Sequence, residues 1–120
     1  MKRMMFVALL VAVPASAQAM DVKTFLTKAD ALKKKGMMAL FSSDFKVLKK
    51  EMEVAGGQLR AERLAALKAG RKVSYCPPAK SSLNAKEVLA HFRAIPPAQQ
   101  KTMQIKDGLR SLLTRKHPCR

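Results

Sequence analysis

Tryptophan is absent, and one tyrosine and five phenylalanines are the only aromatics, too few to build a base-stacking surface. That argues against nucleic acid as a partner, despite the strongly basic composition. Acidic residues are scarce too: eight Asp and Glu stand against 24 Lys and Arg, for a formal charge of +16. The acids are scattered, and Glu51 and Glu53, two apart, point to different faces of a helix. The only imidazoles are His91 and His117, neither set in a motif. His91 falls at the flank of an apolar helical stripe, the place of a boundary histidine, and His117 simply precedes Pro118. No G-x-S-x-G, H-E-x-x-H, P-loop or dinucleotide fingerprint occurs. No enzyme activity, catalytic residue, cofactor or metal ligand is therefore expected. Two cysteines do not make a disulfide-dense miniprotein, and 48% hydrophobic residues do not make a disordered chain. At 120 residues, one small and very basic globular domain remains.

The N-terminal segment sets the expected address. Lys2 and Arg3 precede an uninterrupted apolar stretch from Met4 to Val13, followed by Pro14 and two overlapping small-x-small sites, Ala15-Ser16-Ala17 and Ala17-Gln18-Ala19. This pattern reads as a secretory signal peptide over residues 1–19, cleaved after Ala19. The apolar stretch falls well short of the ~20 residues needed to span a bilayer. A periplasmic or secreted product is expected, with no transmembrane segment after cleavage. Lys2 and Arg3 leave with the signal and no acid does, so the charge falls from +16 to +14.

The remaining basic residues are spread along the chain, with clusters at Lys33-Lys34-Lys35, Lys49-Lys50, Arg71-Lys72 and Arg115-Lys116. One reading is a solvated cationic surface; the sharper one is an acidic partner, whether a protein, an anionic glycan or membrane headgroups. Lys33, Lys34, Lys35, Lys49 and Lys50 are the candidate contact surface.

Periodicity predicts an all-α domain of four to five helices over residues 20–120. In its N-terminal half, about 21–70, Val22, Phe25, Leu26, Ala29 and Leu32 recur at helical spacing behind Asp21, a candidate N-cap. The stripe stops at three lysines and Gly36, cations suited to the helix C-terminus and a residue that can take the left-handed C′ conformation. An apolar bridge, Met37 to Phe41, leads to a second stripe of Phe45, Leu48, Met52, Ala55 and Leu59. Gly56-Gly57 is expected to break this stripe into two helices, the second running from Gln58 to Ala69 and stopping at Gly70.

The stretch Arg71 to Lys80 has strand or loop chemistry, with Pro77-Pro78 forbidding helix behind it. It opens the C-terminal half, about 71–120. Asn84 followed by Glu87 has capping-box spacing, and Val88, Leu89, Phe92 and Ile95 share one face of the helix that should follow. Pro96-Pro97 ends that helix and supplies the N1 proline of the next, expected to run unbroken to about Lys116 with Met103, Ile105, Leu109, Leu112 and Leu113 inward. So short a connection predicts an antiparallel hairpin.

An antiparallel hairpin brings the segment before its first helix beside the segment after its second, where Cys76 and Cys119 lie. In an exported protein these read as a disulfide, contributing about 4 kcal/mol on the loop-entropy model. A metal site or a reactive thiol is the alternative, although there is no C-x-x-C and His117 alone beside Cys119 is a poor ligand set. Pro77, Pro78, Pro96, Pro97 and Pro118 are the expected scaffold turns.

The run Tyr75-Cys76-Pro77-Pro78, then Leu83 to Phe92, Ile95-Pro96-Pro97, Leu109 to Leu113 and His117-Pro118-Cys119 resembles the Tai-type immunity proteins. Those are small periplasmic helical proteins that bind and inhibit peptidoglycan amidase effectors of type VI secretion. The similarity covers about residues 75–119, with Cys76, Pro78, Pro118 and Cys119 as the matching framework. An N-terminal cysteine followed by a Gly-Tyr element is missing, so no effector-facing residue carries over. The resemblance implies a non-enzymatic binding protein with one effector enzyme as partner. The charge supports an alternative, a cationic envelope protein binding anionic lipid, glycan or unfolded clients.

Overall fold

The computed structural model describes residues 20–80 and 82–120, and the expected signal peptide lies outside them. The described residues form five α-helices and one 3₁₀ turn, with no strand beyond two isolated bridges. Helix α1 spans Val22–Lys35 and starts where the Asp21 carboxylate accepts from the Thr24 backbone N–H at 2.7 Å. It ends on the three lysines at Gly36, whose φ of 59° is positive as expected. Its ψ of −134° lies outside the left-handed helical well, so the chain turns away sharply into the 3₁₀ turn Gly36–Phe41.

Helix α2, Ser43–Lys68, is one continuous helix of 26 residues. The expected break at Gly56-Gly57 does not occur. Two helical glycines cost about 1 kcal/mol each relative to alanine. Buried anchors on both sides outweigh that: Leu48 and Ala55 before the pair and Leu59 after it, each buried leucine contributing about 1.5–3 kcal/mol. Leu59 is also clamped from outside, its carbonyl accepting from the Tyr75 hydroxyl at 3.0 Å.

After α2 the chain turns at Gly70 (φ 72°) and runs through an irregular stretch to Tyr75. Helix α3, Ala85–Ala94, opens with the complete capping box: Asn84 accepts from the Glu87 N–H at 2.8 Å and donates its own N–H to the Glu87 carboxylate at 3.0 Å. It closes at Ile95, extended ahead of Pro96, and Gln100 donates to the Ile95 and Phe92 carbonyls left open there.

The single helix expected from Pro97 to Lys116 is instead two, α4 Pro97–Gln100 and α5 Ile105–Lys116. Tertiary pairing explains the gap. Met103 and Ile105 spend their backbone groups on the chain entering α1, with Val22 donating to the Met103 carbonyl at 2.8 Å and Ile105 to the Met20 carbonyl at 3.1 Å. In a helix unbroken from Pro97 to Lys116 the Met103 carbonyl and the Ile105 N–H would be taken by partners four residues away; ending α4 and starting α5 at Ile105 frees them.

Contacts between α3 and α5 run in opposite senses along the two helices. Glu87 meets Lys116 at 2.9 Å, His91 meets Ser111 at 2.7 Å, and Phe92 packs over Gly108. A Cβ on Gly108 would stand 2.9 Å from the Phe92 ring and 3.3 Å from Val22, so this glycine sets how closely α5 approaches α3 and α1. The Cys76–Cys119 disulfide, 43 residues apart and 5.0 Å between Cα atoms, joins the flanks of these helices. Beside it Cys76 donates to the His117 carbonyl at 2.7 Å, and Tyr75 bridges Pro118. Phe92, Leu59, Ile105, Leu112 and Val22 are the most deeply buried side chains, and Phe25 stands edge-on to Phe92 at 5.5 Å.

Candidate binding site: an apolar cleft and a lysine-flanked turn

Helix α2 crosses both halves of the molecule, and its two ends are treated differently. Toward its C-terminus, Glu62 accepts from Lys106 at 2.7 Å and from Arg110 at 2.9 Å, tying α2 to α5. These bonds, Lys106 first, hold the Glu62 carboxyl below its ordinary value of 4.5. Tyr75 closes this end from the side, and burial pushes its hydroxyl above the ordinary value of 10.0.

Toward the N-terminus of α2 the packing is incomplete. A cleft of about 420 Å³ opens between α1, α2 and the start of α3. One wall is Phe25, Ala29 and Leu32 of α1; the floor is Phe45, Leu48 and Met52 of α2; Leu83, Val88 and Leu89 close the far side. The cleft exists because Phe45, Met52 and Leu89 stay only partly covered, with no further helix laid over them among the described residues. Its two polar lining residues are Lys49 and Asn84, and the Asn84 carboxamide oxygen is already committed to the capping box.

At the same end, the 3₁₀ turn displays four large apolar side chains: Met37, Met38, Leu40 and Phe41 are 85%, 69%, 58% and 82% exposed. Three positions in sequence before it stand Lys33, Lys34 and Lys35, exposed in the last turn of α1. Lys35 reaches Ser42, the N-cap of α2, at 3.4 Å, so the lysine cluster and the far side of the turn are tied together. Lys28 pairs with Asp44 at 3.4 Å and holds the start of α2 against α1. Lys49 and Lys50 lie on the next part of α2, exposed, and Lys49 forms the cleft rim. The five candidate lysines thus flank the turn and the cleft. The sequence reading of Met37 to Phe41 as a bridge missed that they are uncovered; the signal was an apolar run too short for a helix, between cations and a serine cap.

None of the predicted scaffold residues lines the cleft. Cys76 and Cys119 are bonded to each other; Pro77, Pro78 and Pro118 line the crosslink, Pro96 ends α3 and Pro97 opens α4. Among the described residues no cluster of His, Cys, Asp or Glu could hold a metal ion, and no helix is long and apolar enough to cross a membrane.

His91 and Ser111 form a pair that sequence spacing concealed, with 2.7 Å between Nε2 and Oγ. Ser111 donates its hydroxyl proton to the Gly108 carbonyl at 2.8 Å, so it accepts from His91 Nε2–H. In that arrangement the basic nitrogen is Nδ1, buried and without a partner, facing away from the serine. Burial, then the charge of Arg115, lowers the His91 pKa below 6.5. The pair ties α3 to α5.

Comparison with protein-family models, with curated proteins and with solved structures finds no match. Fold and site together define a small, cationic, all-α protein, crosslinked by one disulfide and presenting an apolar cleft and an exposed apolar turn.

Proposed function

We propose that this protein is an exported, non-enzymatic protein that docks on anionic membrane surfaces. The observation that carries the reading is the 3₁₀ turn, with Met37, Met38, Leu40 and Phe41 exposed directly after Lys33, Lys34 and Lys35. Apolar side chains beside lysines match the chemistry of the headgroup boundary: the tip enters the acyl edge while each lysine near an anionic surface contributes about 1 kcal/mol. A charge of +14 on the residues after the signal supplies long-range attraction, and the disulfide suits an oxidising compartment outside the cytosol.

Sedimentation with vesicles tests it, comparing phosphatidylglycerol-containing vesicles with phosphatidylcholine alone. Binding is expected to the anionic vesicles only, to fall sharply when Lys33, Lys34 and Lys35 are replaced by Glu, and to become fully salt-labile in Met38→Ser/Phe41→Ser. Equal binding to both vesicle types, or none, would sink the proposal.

The same turn supports a second reading drawn from the C-terminal resemblance, an inhibitor of a peptidoglycan amidase effector that plugs the enzyme's cleft with Phe41. Its mark is one stoichiometric protein partner retained in high salt, since an apolar hot spot survives the screening that removes exposed charge.

A further inference from the structure

We infer that the cleft between α1, α2 and the start of α3 takes a single acyl chain whose anionic head is held by Lys49. This deepens the membrane reading above and rests on it for the source of the ligand. Three observations combine. The cleft, about 420 Å³, lies within the ~300–1,000 Å³ typical of small-molecule sites, and its walls are aliphatic or aromatic nearly throughout.

The lining also lacks what a peptide would need. An extended peptide brings backbone amides that must be paired when water leaves, yet of the two polar lining residues Asn84 has its carboxamide oxygen and its backbone N–H committed to the capping box. No strand edge is present among the described residues to receive an added strand. A hydrocarbon chain has no such groups to satisfy.

The third observation is charge. Lys49 is the single cation on the rim, is exposed, and among the described residues forms no ion pair. A second copy of the chain as occupant would bring another large positive charge against this one, whereas an anionic amphiphile complements it.

The test is titration of the exported, oxidised protein with palmitate below its micelle concentration, followed by calorimetry and native mass spectrometry, with hexadecanol as the uncharged control. Saturable one-to-one binding of palmitate is expected. Ala29→Phe, which fills the cleft, should weaken it by about tenfold or more. Lys49→Glu, at an exposed position that leaves the fold intact, should weaken palmitate several-fold and leave hexadecanol unchanged. Circular dichroism on both variants verifies the fold.

Absence of saturable binding would overturn the inference, as would affinities unchanged in both variants. Capture of an amphipathic helical peptide in place of palmitate would overturn it too and make the cleft a protein groove. The two proposals fail separately. Met38→Ser/Phe41→Ser should make vesicle docking fully salt-labile while keeping palmitate; palmitate binding by a parent protein that does not dock rejects only the membrane reading, and docking without palmitate rejects only the cleft assignment.

Discussion

The two ends of α2 carry similar residues and meet opposite fates. Around its second half, Leu59 is 2% exposed, because the Tyr75 hydroxyl bonds its carbonyl and α5 is tied alongside by the Lys106 and Arg110 pairs to Glu62. Around its first half, Phe41 and Met37 stand out in solvent and Phe45 and Met52 edge an open cleft. Hydrophobic character does not separate these sets. The difference lies in what covers them: α5 and the Tyr75 segment close on the second half of α2, whereas among the described residues its first half meets α1 and, across an open cleft, the start of α3. A closed end and an open end on one helix follow from that asymmetry, and stability is left for the closed end to provide.

Truncation should break the comparison most visibly. Phe92→Ala is expected to cost about 3–5 kcal/mol in denaturant unfolding, while Phe41→Ser should change stability by under about 0.5 kcal/mol. Equal costs would mean that the turn is covered in solution. Reduction of Cys76–Cys119 comes next, lowering unfolding free energy by up to about 4 kcal/mol while circular dichroism retains most of the helix. Loss of α1 and α2 helicity on reduction would show the open end to be more dependent on the closed one than the packing indicates.

Smaller effects sharpen the account of the junction. Gly56→Ala and Gly57→Ala meet no atom within 4 Å, so each should raise stability by about 0.5–1 kcal/mol. Destabilisation would mean that the helix bends there after all. The smallest effect is at His91, whose pKa is lowered in the folded state. Its contribution is present above the unfolded value of 6.5 and is lost as pH falls through the lower folded value. Thermal unfolding should therefore show a decline below pH 6.5 that His91→Gln removes. Glu62 and Glu87, also lowered, act in the same direction but only below their ordinary value of 4.5, so the two windows separate.

Local features were legible from residues alone. Asp21, Gly36, the Asn84 and Glu87 box, Gly70 and Pro97 all act through neighbours within four residues, and each stands where its chemistry places it. The disulfide was legible because two cysteines in a chain expected to be exported leave one intramolecular pairing. The candidate site was half legible: its lysines were named from their clustering, but Met37 to Phe41 looked like linker and the cleft had no signature. Gly108 went unremarked because a lone glycine inside a helix has no sequence mark separating tolerance from close packing.

Sequence by itself determined where α1 starts and stops, where α3 is capped and ended, the charge and the crosslink, since these rest on short-range hydrogen bonds, side-chain type and covalent chemistry. Tertiary structure alone decided that α2 continues through Gly56-Gly57, that α4 and α5 part so Met103 and Ile105 can bond the entrance to α1, and which apolar residues stay uncovered. Those outcomes depend on contacts between segments distant in the chain, where burial worth several kcal/mol overrides local preferences of about 1 kcal/mol.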